Sequence, residues 1–485
     1  MTSCKKYLYI FILVLAFSGC KVHNVHQCPT PCTNIPESFS ESGDAVQCLP
    51  WWEEFDDENL NCIMDCALAH NLDVQQAWNR LLQAKAQVCI DNSARYPQID
   101  ALVNVRTSAN QGSLRNFGGF AFDGADEFED FGGIGGGGGF SQLFLSGQLE
   151  YEIDLWRKID SRVRASCKEM QATREDLDAT ALTLSGTVTD LWFTILEQKA
   201  LLKLLAEQIE SNETQLELIE LRFTVGQSSA LDVYQQRLTL SQTKSEVPRV
   251  RSMLKTSLNR LQVLLGRPPS QAWVEEPEDF AAALPPFPTL GTPWELMQNR
   301  PDLRAARDRL MAADYEVAVA IADRFPQLRL LSSGDLITTE FVQFFERQTL
   351  SIAGSLLAPL FDGKRRKCEV ARRRAILWER MNAFGESFLT ALREVEDAIA
   401  QEKEQLALLE DLGDQLEISE NTLRESQMRY LQGLTSYLDV IAAITALQNV
   451  QRRIISEKKT LLTYRSNLYR ALGGSFVLTS CGETP

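Results

Sequence analysis

The run Arg222-Phe223-Thr224-Val225-Gly226, leading on to Leu231-Asp232-Val233, returns 207 residues later as Arg429-Tyr430-Leu431-Gln432-Gly433, leading on to Leu438-Asp439-Val440. At the same spacing Leu265-Gly266 returns as Leu472-Gly473, Arg157-Lys158 as Lys364-Arg365, and Leu149 as Leu356. Tyr96-Pro97-Gln98 matches Phe325-Pro326-Gln327 at the larger spacing of 229, so the first copy carries about 22 extra residues. The stretch from Gly112 to Gly139, with eleven Gly, supplies them. A repeat of this length is one structural unit built twice.

Each copy reads as helix, two strands, very long helix, return helix. Leu60 to Asn92 is predicted helical, with few breakers and recurrent apolar residues. Alternation predicts strands at Tyr96–Arg106 and Phe140–Ile153, and at Phe325–Ser332 and Thr349–Leu360 in the second copy. From Arg157 to Val225 there is no Pro and only one Gly, Gly186. A seven-residue series runs Val188, Ile195, Leu202, Ile209, Leu216, Phe223, interleaved with Leu191, Gln198, Leu205, Asn212, Ile219. That is a coiled-coil seam, on a helix of order 100 Å. The second copy repeats the helix from Lys364 to Tyr430, with a less regular seam through Val395, Ile399, Leu406, Leu409, Leu416 and Leu423. Gly226 and Gly433 supply left-handed C-caps and the serines after them N-cap the return helices. Those helices run to about Leu265 and Leu472, and Pro248 should kink the first.

The N-terminus indicates the compartment. Lys5 and Lys6 precede an apolar run, Tyr7 to Phe17, too short to span a bilayer but suited to a signal peptide. Ser18-Gly19-Cys20 closes it and resembles a bacterial lipoprotein signal, with cleavage before Cys20 and acylation of its thiol. Lys21 is compatible with the outer membrane. No later stretch is apolar enough for a membrane helix, so any span is made by strands. The formal charge is −16, with 49 Lys+Arg against 65 Asp+Glu; nucleic acid is disfavoured as a partner. Only three His occur, none after His70, and no nucleophile–His–acid set is available, so the chain is read as no enzyme, without catalytic residues or cofactor. Gly135–Gly139 is followed by no helix or Lys-Ser/Thr and is no phosphate loop.

Four strands are too few for a closed barrel, and open edges are not tolerated in lipid. The strands must close with those of other subunits, and three chains give twelve. The sequence resembles the TolC-like outer-membrane efflux protein family, in its acylated (NodT-type) lipoprotein branch. The resemblance runs through Pro50-Trp51-Trp52-Glu53-Glu54-Phe55, Arg300-Pro301-Asp302-Leu303, Leu360-Phe361-Asp362-Gly363-Lys364 and the Arg429–Val440 turn. It implies a mainly α fold with a small membrane β part. Long antiparallel hairpins form a periplasmic α-barrel, and four strands per chain complete a trimeric twelve-stranded β-barrel. It implies a passive exit duct, working as a homotrimer with a periplasmic adaptor and an inner-membrane efflux pump of the RND type. The rival reading is a lipid-anchored periplasmic coiled-coil adaptor or scaffold, which has no need of two paired-strand units.

The resemblance also suggests roles for residues. Gly226, Gln227, Ser228, Gly433, Leu434 and Thr435 stand at the turns that meet the adaptor; plain helix capping is the other reading. Asp232 and Asp439 have no Lys or Arg at helical spacing and would form carboxylate rings at the closed entrance; equally, they are helix-start acids serving the dipole. Gln235 and Ala442 stand where the family has a second aspartate. Tyr430 matches a position that ties the entrance, or is a seam residue. Read from the residues themselves, Arg157, Lys158, Lys364, Arg365 and Arg366 would form a basic belt at the inner leaflet against outer-membrane lipid, or else are a solvated face or pair with surplus acids. Cys28, Cys32, Cys48, Cys62, Cys66 and Cys89, even with His23 and His26, match no standard zinc spacing. No metal site is therefore expected, and disulfides are the favoured reading. The segments are 1–19 signal, 20–56 acylated Cys-rich, 57–270 first repeat, 271–299 equatorial linker, 300–474 second repeat and 475–485 tail.

Overall fold

The computed structural model describes residues 23–24, 36–43, 50–108, 140–269, 284–338 and 348–474. The signal segment, Cys20, Cys28, Cys32, Cys48 and the Gly-rich stretch lie outside the described residues. After a 3-10 turn at Trp51–Phe55 come α1 (Glu58–His70), α2 (Leu72–Ser93), β1 (Gln98–Ser108) and β2 (Phe140–Ile153). Then follow α3 (Lys158–Thr224) and α4 (Ala230–Leu264). The second copy contains α5 (Leu296–Asn299), α6 (Pro301–Ala322), β3 (Gln327–Thr338), β4 (Gln348–Leu357), α7 (Arg365–Leu431) and α8 (Tyr437–Ala471).

The duplication is kept to the residue. α3 and α7 are both 67 residues, and α4 and α8 both 35, each pair displaced by 207. α2 and α6 are both 22 residues, displaced by 229. Two expectations change. The single helix expected at Leu60–Asn92 is two, because Asn71 leaves the helical region at φ −64°, ψ 132°. Its side chain then accepts from the Asp73 and Val74 amides and starts α2. The strands of the second copy are shifted, β3 running six residues beyond Ser332 and β4 ending at Leu357. Helix α4 contains Pro248 within its span.

The chain divides into two compact units, each drawing on both copies. One comprises 1–26, 86–166 and 313–376 and contains an antiparallel sheet in the order β1-β2-β3-β4. Its register sets Ile99 opposite Leu149, Val103 opposite Leu145, Leu145 opposite Leu336, and Leu328 opposite Leu356. Successive side chains alternate between faces, so these residues, with Leu350 and Ile352, make one apolar face. The other face holds Ser146 bonded to Asp335 at 2.6 Å, Ser333 to Ser351 at 2.7 Å, and Arg329 to Glu150 at 3.2 Å. Among the described residues, β1 and β4 leave the two outer edges unpaired.

The second unit comprises 27–85, 167–312 and 377–485. Its largest apolar cluster gathers Trp51, Trp52 and Phe55 with Trp192, Phe193 and Tyr469. Asp57 caps α1 through the Asn59 and Leu60 amides and also accepts from Trp192 Nε1 at 2.7 Å. The seam of α3 is buried at Val188, Leu191, Ile195, Gln198, Leu205, Asn212 and Ile219. The all-apolar series opens towards its end, and Phe223 is 48% exposed.

The expected seam of α7 needs correction. Leu406 is 45% exposed, whereas Glu402 and Gln405 are 1% and 6% exposed. The true seam repeats that of α3 at the spacing of 207: Val395 and Glu402 answer Val188 and Ile195, and Ala398, Gln405 and Leu412 answer Leu191, Gln198 and Leu205. Glu402 is tolerated there because Arg465, 2% exposed, binds it through Nε at 2.9 Å. Arg465 also donates to the carbonyls of Pro285 and Pro286 and lies over the Phe287 ring, tying the equatorial segment down. Of the six cysteines read as disulfide candidates, Cys62, Cys66 and Cys89 lie among the described residues and are free thiols there.

Candidate functional site

Both helix–helix turns are built alike. Gly226 N donates to Phe223 O and Gln227 N to Arg222 O, and Gly433 and Leu434 bond Tyr430 O and Arg429 O in the same way. These paired bonds close a Schellman motif. Its left-handed residue is the glycine, at φ +74° in both copies. Ser229 accepts from the Asp232 amide, and Asp232 Oδ2 accepts from the Ser229 amide at 3.0 Å and the Ser228 hydroxyl at 2.8 Å. This is a reciprocal cap. In the second copy Asp439 Oδ2 accepts from the Ser436 amide and hydroxyl and from Thr435 Oγ1.

The two turns meet. Val233, Tyr437, Val440 and Ile444 pack with Ile219, and Tyr430 lies against them, its ring 5.1 Å from that of Tyr437. Arg222 stands over the Tyr430 ring at 5.1 Å. Tyr430 Oη reaches Ser228 Oγ at 3.3 Å and Asp232 Oδ2 at 3.5 Å, so it joins the second copy to the turn of the first. Tyr437 Oη donates to buried Gln236 at 2.9 Å, and Gln236 donates to the Asn212 carbonyl at 3.0 Å. Gln236 and Tyr437 did not stand out in the sequence, and Asn212 did so only as a polar member of the seam. The signal was faint: two polar residues on otherwise apolar faces.

Electrostatics follow the bonding. Partial burial opposes ionisation of Asp232, but bonds from Ser229, Ser228 and Tyr430 outweigh it and hold the carboxyl below its usual range. Asp439 is also held low, first by Thr435 and then by Ser436. Burial, with Tyr430 and Asp232 adding to it, pushes the Tyr437 phenol up. Neither aspartate makes an ion pair among the described residues. Val225, Leu231, Leu434 and Leu438 stand exposed around the turns, as do Gly226, Gln227 and Gly433.

The basic residues at the helix starts are divided. Lys158 pairs with Glu152 and Asp323, and Arg366 with Asp362. Hydrogen bonds from Arg372 and then Arg373 outweigh desolvation and hold Glu369 at about 2. Arg157, Lys364 and Arg365 make no ion pair among the described residues. Arg157 and Lys364 are left-handed, at φ +57° and +72°, where strand gives way to helix.

Residues 63–267 and 292–474 match the model of the outer membrane efflux protein family, which covers most of the chain and both copies. The chain belongs to this family. Among relatives of this outer membrane efflux protein is the pyoverdine export outer membrane protein OpmQ of Pseudomonas aeruginosa. It is 26% identical over 434 residues, covering 89% of each chain. The cation efflux system protein CusC of Escherichia coli is 24% identical over 496 residues, covering 98% of this chain and 100% of its own. Among solved structures, the outer-membrane channel OprN superposes with a TM-score of 0.82 at 23% identity, over 93% of this chain and 98% of that one. CusC superposes with a TM-score of 0.80 at 21% identity. The fold is thus that of these channels. The chain is an outer-membrane efflux component, and its family is one of transporters.

Proposed function

We propose that three copies of this chain form the exit duct of a tripartite efflux system, passing small molecules or ions outwards from the periplasm. The observation that carries this reading is the four-stranded sheet with one apolar face, one polar face and two unpaired edges. Such edges need partners in lipid. Pairing β4 of one protomer with β1 of the next closes twelve strands, with the apolar face outwards and the Ser, Asp and Arg face lining water.

The turns of the helix hairpins, at Gly226–Ser228 and Gly433–Thr435, present exposed Val225 and Leu434 to a periplasmic adaptor, which couples the duct to an inner-membrane pump of the RND class. Asp232, Asp439 and Tyr430 stand at the entrance constriction, where Tyr430 holds the two turns of a protomer together. Arg157, Lys364 and Arg365, with Lys158 and Arg366 beside them, face the inner leaflet. Leu360 and Phe361, 95% and 94% exposed, flank them as a lipid-facing rim. A lipid on Cys20 anchors the N-terminus.

The test is to purify the mature protein from outer membranes, run it unheated and boiled on SDS gels, and add it to planar bilayers. A heat-sensitive trimer and cation-preferring channels are expected. A monomer without conductance identifies a scaffold or adaptor and overturns the proposal.

A further inference from the structure

Cys62, Cys66 and His70 recur at steps of four along α1 and so share one face of it. Cys66 Sγ lies 3.9 Å from His70 Nδ1. The ring is oriented, since Nδ1 is also 3.1 Å from the Cys66 carbonyl oxygen. The backbone beneath it is fixed. Asn71 donates to the Leu264 carbonyl at 2.9 Å. Gly266 approaches so closely that a Cβ there would stand 2.5 Å from the His70 carbonyl oxygen. Arg267 directs an N–H at Cys66 Sγ from 3.6 Å. Cys66 is a free, half-buried thiol, and His70 is exposed. Nothing in a passive duct requires this pair.

We propose that Cys66 and His70 form a two-coordinate site for a soft monovalent metal ion, Ag(I) or Cu(I). Thiolate sulfur selects soft ions, and imidazole suits copper. Among the described residues no three donors converge on one point, which disfavours the four ligands that zinc takes. Closed-shell monovalent ions accept two ligands in line. With metal–nitrogen and metal–sulfur bonds of about 2.0 and 2.3 Å, a straight S–M–N unit spans about 4.3 Å. The observed 3.9 Å is a small side-chain adjustment away.

The chemistry balances without electron transfer. The Cys66 thiol releases one proton to solvent and its sulfur binds the ion. The imidazole's single proton, on Nδ1 while that atom donates to the Cys66 carbonyl, passes through solvent to Nε2, and Nδ1 gives its lone pair to the metal. The bond from Nδ1–H to the Cys66 carbonyl is exchanged for the metal bond. The thiolate–metal unit is neutral, so the Arg267 charge does not expel it. The site is independent of the duct reading and of what the duct carries.

Only three His occur in the chain, which makes the ring a usable reporter. The full mature protein, labelled with nitrogen-15 in histidine, is titrated with silver nitrate to one equivalent per chain. His70→Gln assigns the resonance. The expected result is a silver–nitrogen splitting on His70 Nδ1. Cys66→Ser, nearly isosteric, removes the splitting and weakens silver binding at His70 by at least roughly 100-fold, the upper end of what loss of an outer-shell partner costs. Cys62→Ser leaves both in place. Absence of splitting in the unmutated protein overturns the proposal. Equal binding in Cys66→Ser overturns it too, as does loss of the site in Cys62→Ser, which would mark a pair of thiolates. Thiol titration showing Cys66 already in a disulfide also overturns it.

Discussion

Tyr430 and Tyr437 both tie the turns together, but with different weight. Tyr437 and Gln236 are buried and their bond is 2.9 Å. Tyr437→Phe strips a donor from a buried carbonyl and should cost about 1–3 kcal/mol, read as a shift in denaturation midpoint. Tyr430 is half-buried and its bonds are 3.3 and 3.5 Å. Tyr430→Phe should cost about 0.5–1 kcal/mol yet still raise open probability in bilayers, because among the described residues it is Tyr430 that bridges the second copy to Asp232. The aspartates set a pH dependence. Both carboxyls are held low in the fold, so the stability they contribute is complete above the ordinary aspartate value of about 3.9. It is lost as pH falls below that value through the folded pKa. Protection of the amides at residues 226–236 and 433–440, relative to their intrinsic exchange rate at each pH, should therefore fall on acidification through that range. Asp232→Asn with Asp439→Asn should abolish the dependence; an unchanged acid response in the double variant would refute this. Glu402→Gln should be harsher than either tyrosine change. It leaves the Arg465 charge, 2% exposed, without its carboxylate, at a cost of about 3–5 kcal/mol. Replacing Glu402 by Leu and Arg465 by Met together should recover most of that, read by thermal denaturation.

At the scale of elements, the two copies reuse one junction. Asn71 and Arg300 occupy equivalent positions, and each donates to the equivalent last-turn carbonyl, Leu264 or Ala471. Beyond each carbonyl a left-handed glycine, Gly266 at φ +69° or Gly473 at φ +104°, touches backbone at His70 or at Asn299 and Arg300. An alanine at either glycine meets both strain and a backbone clash. Gly266→Ala and Gly473→Ala should each cost at least about 1–3 kcal/mol. A substitution of Gly226, which has open space around it, should cost only the strain. Differential scanning calorimetry of the three variants distinguishes these cases. The Leu-Gly pairs at these junctions were legible in the sequence because they recur at 207. Asn71 was not, because a capping side chain inside an apolar-periodic run leaves no gap in the period. Glu402 was missed for a related reason. A charge on a helix reads as surface, and only its partner Arg465, 63 residues away, makes it a seam residue. The helices, the four strands and the turn glycines came from periodicity and from residues with unusual backbone needs, and the fold class from the family resemblance. The strand ends did not, because alternation in Ser333–Thr338 continues too weakly to mark a boundary.

For the molecule as a whole, the parity of the sheet makes the assembly testable one residue at a time. Ile352 lies on the face shared with Ile99, Leu149 and Leu328, and is 70% exposed on β4. Ser351, its neighbour, lies on the opposite face and bonds Ser333. If the apolar face meets lipid, Ile352→Lys places a charge in hydrocarbon at about 2–4 kcal/mol per chain near the midplane. In the proposed threefold assembly this becomes roughly 6–12 kcal/mol per trimer, enough to compete with assembly. Ser351→Lys places the same charge in water, at little cost to stability, but adds three positive charges to the lumen. The yield of heat-sensitive trimer should therefore fall for Ile352→Lys and hold for Ser351→Lys. Single-channel recordings of Ser351→Lys should show a shift from cation towards anion preference, largest at low salt where screening is weak. The reverse pattern would turn the sheet inside out. Equal loss in both variants would mean that both faces of β4 are buried in protein, and the barrel would have to be built from some other pairing of edges.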